Sequence, residues 1–482
     1  MEISDYPSGS ASALVRSFNE RKILYEDKRY SALLVPASVR IGIQARERIE
    51  QDIEAVWEWT RESIGIYADL LRGEGEDEAL LQALEWGLDP DAIALQRESA
   101  FLAETPRIGR IDSVVLGARQ HIAEIQWKGG GEGFISLIDQ TYRDLFPLQD
   151  AQRSLGELWK NIGGIWKRNP SDSICVLNTG RVNWGAGEQG LAARCGEHGI
   201  DWNFAIPSQV SQSLSIGNNG VFLDSDTGKK RLDALYLDRL TEVMPVAQIR
   251  DLMRAARRQQ IILDPPPSYL YNQKVSCTLP FVERYRHRFS ERVRDALIPS
   301  VPMIAGQSAD LTAIMEGVSH EKCDHLRQVR RWTDLLDLRR SLREQLVFKC
   351  ASADKYHNHG GHGVWRLWGS KAVAERQLAS ILQRVEDLRE PWIVQPYVQS
   401  TVTLPLSHPE RPEEMQQREV HARFGLYCAN SERGTQLLGG IATFSPFWKV
   451  AGKSAGTDNN GRLTGSAFTD IRVENEDPSM YS

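Results

Sequence analysis

The sequence lacks three features that would direct a protein to a membrane, to secretion or to a polyanion. No apolar run approaches the roughly 18 residues that a membrane-spanning helix needs. The stretch after Met1 has no basic segment followed by an apolar one, so we expect no secretory signal and a cytoplasmic protein. Lysine and arginine number 58 against 64 aspartate and glutamate, a net charge of −6. This balance gives no reason to expect nucleic acid or a membrane surface as a partner.

The chain is also poor in cysteine and shows no paired spacing of its thiols. The cysteines are Cys175, Cys195, Cys277, Cys323, Cys350 and Cys428. We therefore expect reduced, mostly buried thiols, and not a disulfide framework. The composition is otherwise that of an ordinary globular protein, with 41% hydrophobic and 25% charged residues. A length of 482 residues predicts two or three packed subdomains with a shared core.

Periodicity and turn residues predict a chain in which helical and strand-rich stretches alternate. Apolar spacing predicts helices over residues 49–72, 134–145, 235–260, 320–345 and 370–388. Short β-type runs predict strands at 110–115, 121–127, 173–178, 346–350, 364–368, 391–398, 420–428 and 436–444. The residues after Gly461 are expected to be loosely ordered. This pattern predicts a mixed fold of the α+β or α/β class.

Two neighbouring strands in this pattern carry carboxylates at matching positions. Arg110 and Asp112 are two residues apart, and Glu124 and Gln126 repeat that spacing twelve residues later. Side chains two residues apart lie on one face of a strand, so two adjacent antiparallel strands would bring Asp112 and Glu124 together. Oxygen ligands presented in this way suit Mg²⁺. The alternative is a surface hairpin with ion pairs of little consequence.

A second set of polar residues follows in the C-terminal half. Lys349 lies in an apolar strand, where a lysine is costly to bury unless an anion meets it. The segment 358–363 then carries three glycines in four positions, which lets backbone amides approach an anion. An amphipathic helix and the strand that contains Gln395 come next. A glycine loop alone could be a tight hairpin turn, but the ordered series favours a nucleotide site.

This series resembles the ATP-grasp superfamily, in which two α+β subdomains hold ATP between them. The upstream position of the Arg-x-Asp and Glu-x-polar strands is similar to the synthetase domain of glutathionylspermidine synthases. The resemblance covers roughly residues 100–450 in motif order. It implies an ATP-grasp fold with permuted motif order and two or three subdomains around a central ATP cleft. Gln126 stands where that family has asparagine, and its extra methylene displaces the carbonyl oxygen.

The resemblance also implies a role for each matching residue. ATP and one or two Mg²⁺ ions are the implied cofactors. The implied metal ligands are Asp112, Glu124 and Gln126. The implied nucleotide-binding residues are Lys274, Lys349, the flap glycines Gly360, Gly361 and Gly363, and the linker residues Gln395 and Tyr397. Arg110 and Arg423 are the implied catalytic residues, because basic groups there would neutralise the transferred phosphoryl group.

The expected activity is that of an ADP-forming carboxylate–amine ligase that makes an amide through an acyl phosphate. The expected partners are a small carboxylate and an amine: an amino acid, a short peptide or a polyamine. The expected organisation has five segments: an N-terminal helical segment (1–100), a metal-binding hairpin with the following helix (101–170), an α/β substrate-side subdomain (171–265), ATP-binding subdomains (266–461) and a tail (462–482).

Two other functions stay open at this point. The first is a nucleotide-binding partner protein without ligase chemistry, which the glutamine at position 126 motivates. The second is a zinc-dependent hydrolase that would use His357, His359 and His362. That histidine run lies in a glycine-rich loop with no second ligand cluster at a usual spacing, so contacts to phosphate or water are favoured over zinc.

Overall fold

The structure is a computed structural model with several β-sheets. It describes residues 2–7, 9–21, 31–74, 77–100, 105–116, 119–127, 132–147, 152–153, 165, 174–178, 192–193, 195–196, 200–204, 207–225, 228–236, 244–315, 326, 328–351, 363–431, 434–448, 455–458 and 461–474.

The elements of the described residues are numbered in chain order. The strands are β1 (Glu2–Asp5), β2 (Ala37–Ile41), β3 (Ile108–Leu116), β4 (Arg119–Gln126), β5 (Gln152–Arg153), β6 (Ile174–Asn178), β7 (Ile200–Phe204), β8 (Leu214–Gly217), β9 (Gly220–Ser225), β10 (Gly228–Leu232), β11 (Ala234–Tyr236), β12 (Ile262–Asp264), β13 (Val301–Met303), β14 (Leu346–Cys350), β15 (Val364–Arg366), β16 (Trp392–Pro396), β17 (Thr401–His408), β18 (Arg411–Ser431), β19 (Gly434–Ser445), β20 (Gly456–Thr457), β21 (Leu463–Thr464) and β22 (Ala467–Glu474). The α-helices are α1 (Ser10–Glu20), α2 (Ile43–Leu71), α3 (Glu78–Glu85), α4 (Pro90–Ser99), α5 (Glu132–Leu145), α6 (Pro207–Ser213), α7 (Val246–Arg257), α8 (Glu283–Arg286), α9 (Glu291–Ala296), α10 (Thr312–Met315), α11 (Arg340–Arg343) and α12 (Lys371–Leu388). The 3₁₀ turns are Tyr269–Asn272, Lys274–Phe281 and Trp332–Asp337.

A large sheet combines strands from both ends of the chain. Its order is β1-β2-β22-β19-β18-β3-β4, with β17 added on β18 and β5 on β22. The long strand β18 pairs antiparallel with β17, β19 and β3 along different parts of its length. The expected antiparallel pairing of the strands at 420–428 and 436–444 is confirmed in β18 and β19. The N-terminal segment 1–100 therefore contributes strands β1 and β2 to the same sheet as the C-terminal β22.

Two smaller sheets are formed by strands between residues 174 and 396. Strands β12-β11-β6-β7 form a parallel sheet that lies within the interval 171–265. Strands β13-β16-β14-β15 form an antiparallel sheet, which we call the small sheet. Helix α12 begins after Ser370, whose side-chain oxygen accepts a hydrogen bond from the amide of Val373. Such a cap satisfies one of the free amides at a helix start.

Helix α2 connects the large sheet to the segments that carry the candidate site. Its buried face carries Ile49, Ile53, Val56, Tyr67 and Ala68, as the sequence periodicity predicts. The indole nitrogen of Trp57 donates to the carbonyl of Pro106, just before β3, at 2.7 Å. The indole nitrogen of Trp59 donates to the carbonyl of Ser276 at 2.9 Å. Since burial of each such aliphatic side chain contributes about 1.5–3 kcal/mol, this helix holds both segments firmly.

The helix predicted over 235–260 is wrong at its N-terminal end. Residues 234–236 form the buried strand β11, and α7 begins only after Pro245. The intervening residues 237–243 lie outside the described part of the chain. A short apolar run that is buried on both faces of a parallel sheet has no alternation that separates it from a buried helix.

The long helix predicted over 320–345 is wrong for the described residues from 328 onward, which form a 3₁₀ turn and the short helix α11. The carboxylate of Asp334 accepts hydrogen bonds from the backbone amides of Arg330 and Arg331, at 3.1 and 2.9 Å. Arg331 is extended, with φ −125° and ψ 148°. Aspartate competes with the helix for backbone amides in this way, and the competition interrupts the predicted helix.

The loosely ordered tail expected after Gly461 is wrong for residues 463–474. Strand β22 lies between β2 and β19, and its residues from Ala467 to Val473 are buried. Its polar members are paired inside the protein: Asp470 accepts from Arg472 at 2.9 Å and from the Ser38 hydroxyl at 2.7 Å. Because these polar residues interrupt the apolar run, the sequence conceals a buried strand.

The expectation of reduced, buried thiols is confirmed for the five described cysteines, which form no disulfide bond: Cys175, Cys195, Cys277, Cys350 and Cys428. Cys323 lies outside the described residues. In the described part of the chain, no helix combines the length and the apolar character that crossing a membrane requires.

Candidate functional site

Strands β3 and β4 form the predicted hairpin and place its carboxylates opposite each other. In the antiparallel register, Arg110 faces Gln126 and Asp112 faces Glu124. Directly opposed residues of such a pair have their Cβ atoms about 4.5–5.5 Å apart. The prediction that two neighbouring strands bring Asp112 and Glu124 together is confirmed.

A β-bulge follows these carboxylates on β4. The register shifts after the pair Asp112 and Glu124, so that Ser113 pairs with Ile122 and Ala123 has no partner in the ladder. A bulged residue leaves its backbone groups free for other partners. The carbonyl of Ala123 accepts a hydrogen bond from the Nζ atom of Lys349 at 3.2 Å. The bulge thus brings the lysine of the small sheet to the hairpin of the large sheet.

Asp112 is almost fully buried and lies between two arginines. Its Oδ1 atom accepts from Nε of Arg110 at 2.9 Å, and its Oδ2 atom lies 3.5 Å from Nη1 of Arg423. Gly425 is the register partner of Asp112 on β18. A Cβ atom at Gly425 would lie 3.3 Å from Cδ of Arg110 and 3.4 Å from Oδ1 of Asp112. The glycine therefore leaves room for the contact between Arg110 and Asp112.

Glu124 is held by lysines from two other segments. Its Oε1 atom lies 3.2 Å from Nζ of Lys274, which begins a 3₁₀ turn. Burial alone would raise the pKa of Glu124, but the charges of Lys274 and Lys349 outweigh it and lower the pKa from 4.5 to about 2. The carboxylate is therefore ionised at any physiological pH.

Gln126 lies beside these carboxylates but turns its oxygen away from them. Its Oε1 atom accepts from Nη2 of Arg110 at 2.8 Å, while its Nε2 atom lies 3.4 Å from Oε1 of Glu124. The amide therefore connects Arg110 to Glu124. A rotation of about half a turn about the last side-chain bond would exchange the two atoms and direct the oxygen at Glu124.

Positive charge exceeds negative charge at this site. Four basic side chains of the described residues surround two carboxylates: Arg110, Arg423, Lys274 and Lys349 around Asp112 and Glu124. Burial lowers the pKa of Lys349, and Lys274 lowers it further, whereas Glu124 opposes both. Burial would also lower the pKa of Arg110, but Asp112 and Tyr427 outweigh it and raise the pKa above its ordinary value. The site thus carries about two uncompensated positive charges, which favour a multiply charged anion.

The linker residues lie at the end of the small sheet and are engaged within the protein. The amide of Gln395 is buried and donates from Nε2 to the hydroxyl of Ser300 at 2.6 Å. The hydroxyl of Tyr397 lies 3.1 Å from Nδ1 of His421. The guanidinium carbon of Arg366 lies 4.0 Å from the centroid of the Tyr397 ring. The side-chain amide of Gln395 is therefore buried and hydrogen-bonded within the protein. Tyr397 is half-buried.

Most of the predicted flap falls outside the described residues. Gly360 and Gly361 lie there, as do His357, His359 and His362. Gly363 is described: its carbonyl accepts from the amide of Cys350 at 2.7 Å, which closes β15 onto β14. Within the described ranges, no group of three or more histidine, cysteine, aspartate or glutamate side chains is placed to hold a metal ion. Asp112 and Glu124 are accordingly a pair of carboxylates and not a larger cluster.

Sequence reasoning missed three residues at this site. Tyr427 is fully buried and hydrogen-bonds to Arg110, and Gly425 provides the space described above. Arg423, Gly425 and Tyr427 alternate along β18, so their spacing of two was a signal that could have identified them. Cys277 lies near Glu124, and burial raises the pKa of its thiol to about 12. That thiol is protonated and is not a nucleophile.

Comparisons with known proteins give a distant structural likeness. No family model matches the chain, and no curated protein matches it. A glutathione synthetase-like effector from Globodera pallida is 10% identical over 96% of this chain and 95% of its own, with a TM-score of 0.48. A protein assigned as a gamma-glutamylcysteine synthetase, from Methylobacillus flagellatus, is 10% identical over 84% of this chain and 88% of its own, with a TM-score of 0.38. Since both scores are below 0.5, the function of this chain has to be argued from its own geometry.

Proposed function

We propose that this protein is an ADP-forming carboxylate–amine ligase of the ATP-grasp type. The observation that carries the proposal is the convergence of four basic side chains on the paired carboxylates Asp112 and Glu124. An excess of buried positive charge is costly unless an anion neutralises it. A nucleoside triphosphate with a bound divalent cation would match this arrangement. Its phosphates would neutralise the basic groups, and the cation would neutralise the carboxylates.

Lys349 and Lys274 are the proposed phosphate-binding residues. Lys349 projects from the small sheet, and Lys274 begins the turn that follows the proline-rich segment 265–267. Lys349 hydrogen-bonds to a backbone carbonyl, and Lys274 contacts Glu124. Phosphate oxygens would replace these partners with stronger charge-assisted hydrogen bonds. The flap glycines Gly360, Gly361 and Gly363 are proposed to cover the phosphates and exclude water.

Asp112 and Glu124 are the proposed ligands of Mg²⁺, and the donor set fits that ion because it consists of hard oxygens. When bound, Mg²⁺ would neutralise phosphate charge and orient the phosphoryl group for transfer. Gln126 joins the donor set only if its amide rotates and releases Arg110. The proposed second metal site therefore depends on that rotation.

Arg110 and Arg423 are proposed to stabilise charge at the reacting phosphoryl group. A substrate carboxylate oxygen would attack the γ-phosphorus, and the bond between that phosphorus and the β–γ bridging oxygen would break to release ADP. An amine would then attack the acyl carbon of the acyl phosphate, with loss of inorganic phosphate and of one proton. Such a site acts by positioning and electrostatics more than by covalent protein chemistry.

The adenine ring is proposed to lie beside the linker at Tyr397. The side chain of Gln395 is bonded to Ser300, so the linker would contribute its backbone and the Tyr397 ring. Arg366 lies over that ring, and the rings of His421 and Trp448 approach it with centroids 6.3 and 6.2 Å away.

The test is an ADP-release assay with pooled amino acids, short peptides and polyamines, followed by mass spectrometry of the products. We expect ADP release that depends on both a carboxylate and an amine, with a product heavier by their condensation. Asp112→Asn and Lys349→Met should each lower the rate at least 100-fold, since each removes a charge from the reacting site. Asp337→Asn and Lys371→Met are the matched controls, because these residues form an exposed ion pair elsewhere. If Asp112→Asn retained full ADP release, the proposal would be wrong.

A second function, nucleotide binding without ligation, has one observation in its favour. Asp112 already has two arginine partners, and the oxygen of Gln126 is bonded to Arg110, so these groups are not preset around a metal. Under this alternative, ATP would bind and protect the protein against heat, but no carboxylate and amine pair would release ADP. The same assay, combined with a thermal-shift titration of ATP, distinguishes the two functions.

A further inference from the structure

A cavity lies on the opposite face of the hairpin from the carboxylate pair. Its volume is about 1060 Å³, and it is bounded by the start of α2, by α9, by the loop end of the β3–β4 hairpin and by Glu474. Val115 and Gln120 are register partners that line it. Val115 lies an odd number of residues from Arg110 and an odd number from Asp112, so along β3 it is on the opposite face from Arg110 and Asp112. The cavity is therefore separate from the proposed ATP site.

The side chain of Gln120 is the unusual feature of this cavity. Gln120 is 8% exposed, and among the described residues neither its Nε2 nor its Oε1 atom has a hydrogen-bond partner. A buried primary amide with both a donor and an acceptor unmatched is rare in folded proteins. A ligand that satisfied it would have to offer an acceptor and a donor together.

Both signs of charge also line the cavity close to this amide. Arg40 contributes a buried Nε atom that has no hydrogen-bond partner in the described part of the chain. Helix α2 begins at Gly42 without a side-chain cap and without an acidic residue in its first turn. Its free amides favour negative charge, a preference that Glu474 at the helix start partly meets. Glu291 and Asp295 of α9 form the acidic side of the same cavity.

We propose that this cavity binds a small zwitterion, an amino acid or a short peptide. Its carboxylate is bound by Arg40, by Nε2 of Gln120 and by the start of α2. Its ammonium group faces Oε1 of Gln120 and the carboxylates of α9. A cavity of this size accommodates two or three residues of a peptide. The site is independent of the ligase proposal, because none of these residues belongs to the carboxylate pair or its basic neighbours.

Isothermal titration calorimetry with glycylglycine tests the site. Acetate, which carries only the carboxylate, and ethylamine, which carries only the ammonium group, are titrated for comparison. We expect one saturable site for glycylglycine. Acetate and ethylamine should each bind at least about tenfold more weakly, because each contacts only the basic or only the acidic side of the cavity. Gln120→Leu should weaken glycylglycine binding at least about tenfold while the protein stays folded, since it removes an unsatisfied amide and retains the volume. Glu291→Gln, an exposed change, should weaken glycylglycine and leave acetate unaffected.

Gln82→Leu is the matched control, because Gln82 is exposed on α3 and bonds only to Glu78 among the described residues. It should leave glycylglycine binding unchanged. Asp112→Asn should also leave it unchanged. If binding were lost in Asp112→Asn and retained in Gln120→Leu, the dipeptide would occupy the ATP site and the cavity proposal would fail. Absence of saturable binding by glycylglycine in the wild-type protein would also overturn it, with water then filling the cavity.

Discussion

Replacement of Glu124 by glutamine tests the electrostatics of the site through protein stability, independently of any substrate. The change keeps the shape of the side chain and removes the charge that compensates Lys274 and Lys349. The pKa of Glu124 falls from 4.5 to about 2 in the folded protein. At about 1.4 kcal/mol per pH unit, that difference corresponds to about 3 kcal/mol of stability at neutral pH. Since the side chain is 24% exposed, solvent screening reduces the expected loss to about 2 kcal/mol.

The sign of the pH dependence follows from the lowered pKa. A carboxyl group whose pKa is lower in the folded state stabilises the protein fully above its unfolded value, here 4.5. The contribution is then lost progressively as the pH falls through about 2. We therefore expect the difference in unfolding free energy between wild type and Glu124→Gln to be greatest near neutral pH and clearly smaller at about pH 3.5. Urea unfolding at both pH values measures it.

The matched control is Glu410→Gln, because that glutamate is 83% exposed and its carboxylate lies as far as 4.0 Å from Nδ1 of His408. The unfolding free energy of Glu410→Gln should differ from that of the wild type by no more than about 0.5 kcal/mol at either pH. A Glu124→Gln difference as small as that of the control, or one that is the same at both pH values, would refute the reasoning. In that case the lysines would not depend on Glu124 for compensation.

Three further predictions concern the site and the fold. Gly425→Ala should cost about 1 kcal/mol in urea unfolding and lower ADP release, because its methyl group would press on Cδ of Arg110; unchanged values for both would contradict the proposed packing. The kcat/KM for ATP should fall on the alkaline side below pH 10.5, because burial lowers the pKa of Lys349, and Lys349→Arg should move that fall to higher pH; an identical pH profile would exclude Lys349 as its cause. Arg472→Met should lower the unfolding free energy by about 3–5 kcal/mol, because it leaves the buried carboxylate of Asp470 without its cation; a near-zero change would show that β22 is not an integral strand.

The hairpin could be predicted from the sequence because its information is local. Side chains that are two residues apart lie on the same face of a strand. A short connection between two strands favours their antiparallel pairing. That reasoning placed Asp112 opposite Glu124, as the register shows. The strand–helix–strand series from Leu346 to Pro396 was predictable for the same reason, since each element has its own periodicity and its own turn residues.

The partners of the site residues could not be predicted, because they depend on contacts between distant segments. The bulge at Ala123 has no sequence signature such as a glycine, yet it supplies the carbonyl that Lys349 contacts. The direction of the Gln126 amide is set by Arg110, whose own position depends on Gly425 and Tyr427 of β18. Such arrangements follow from side-chain packing across strands and not from spacing along one strand.

The position of β22 has a consequence for how the protein is made. Val39 of β2 pairs with Ile471 of β22, so one edge of an N-terminal strand stays unpaired until more than 400 further residues have been synthesised. Contacts of such long sequence separation slow folding, and exposed strand edges favour aggregation. During translation, β2 and the apolar face of α2 would be exposed well before their partners leave the ribosome. We therefore expect slow translation or lower growth temperature to improve the yield of folded protein less than added chaperone does.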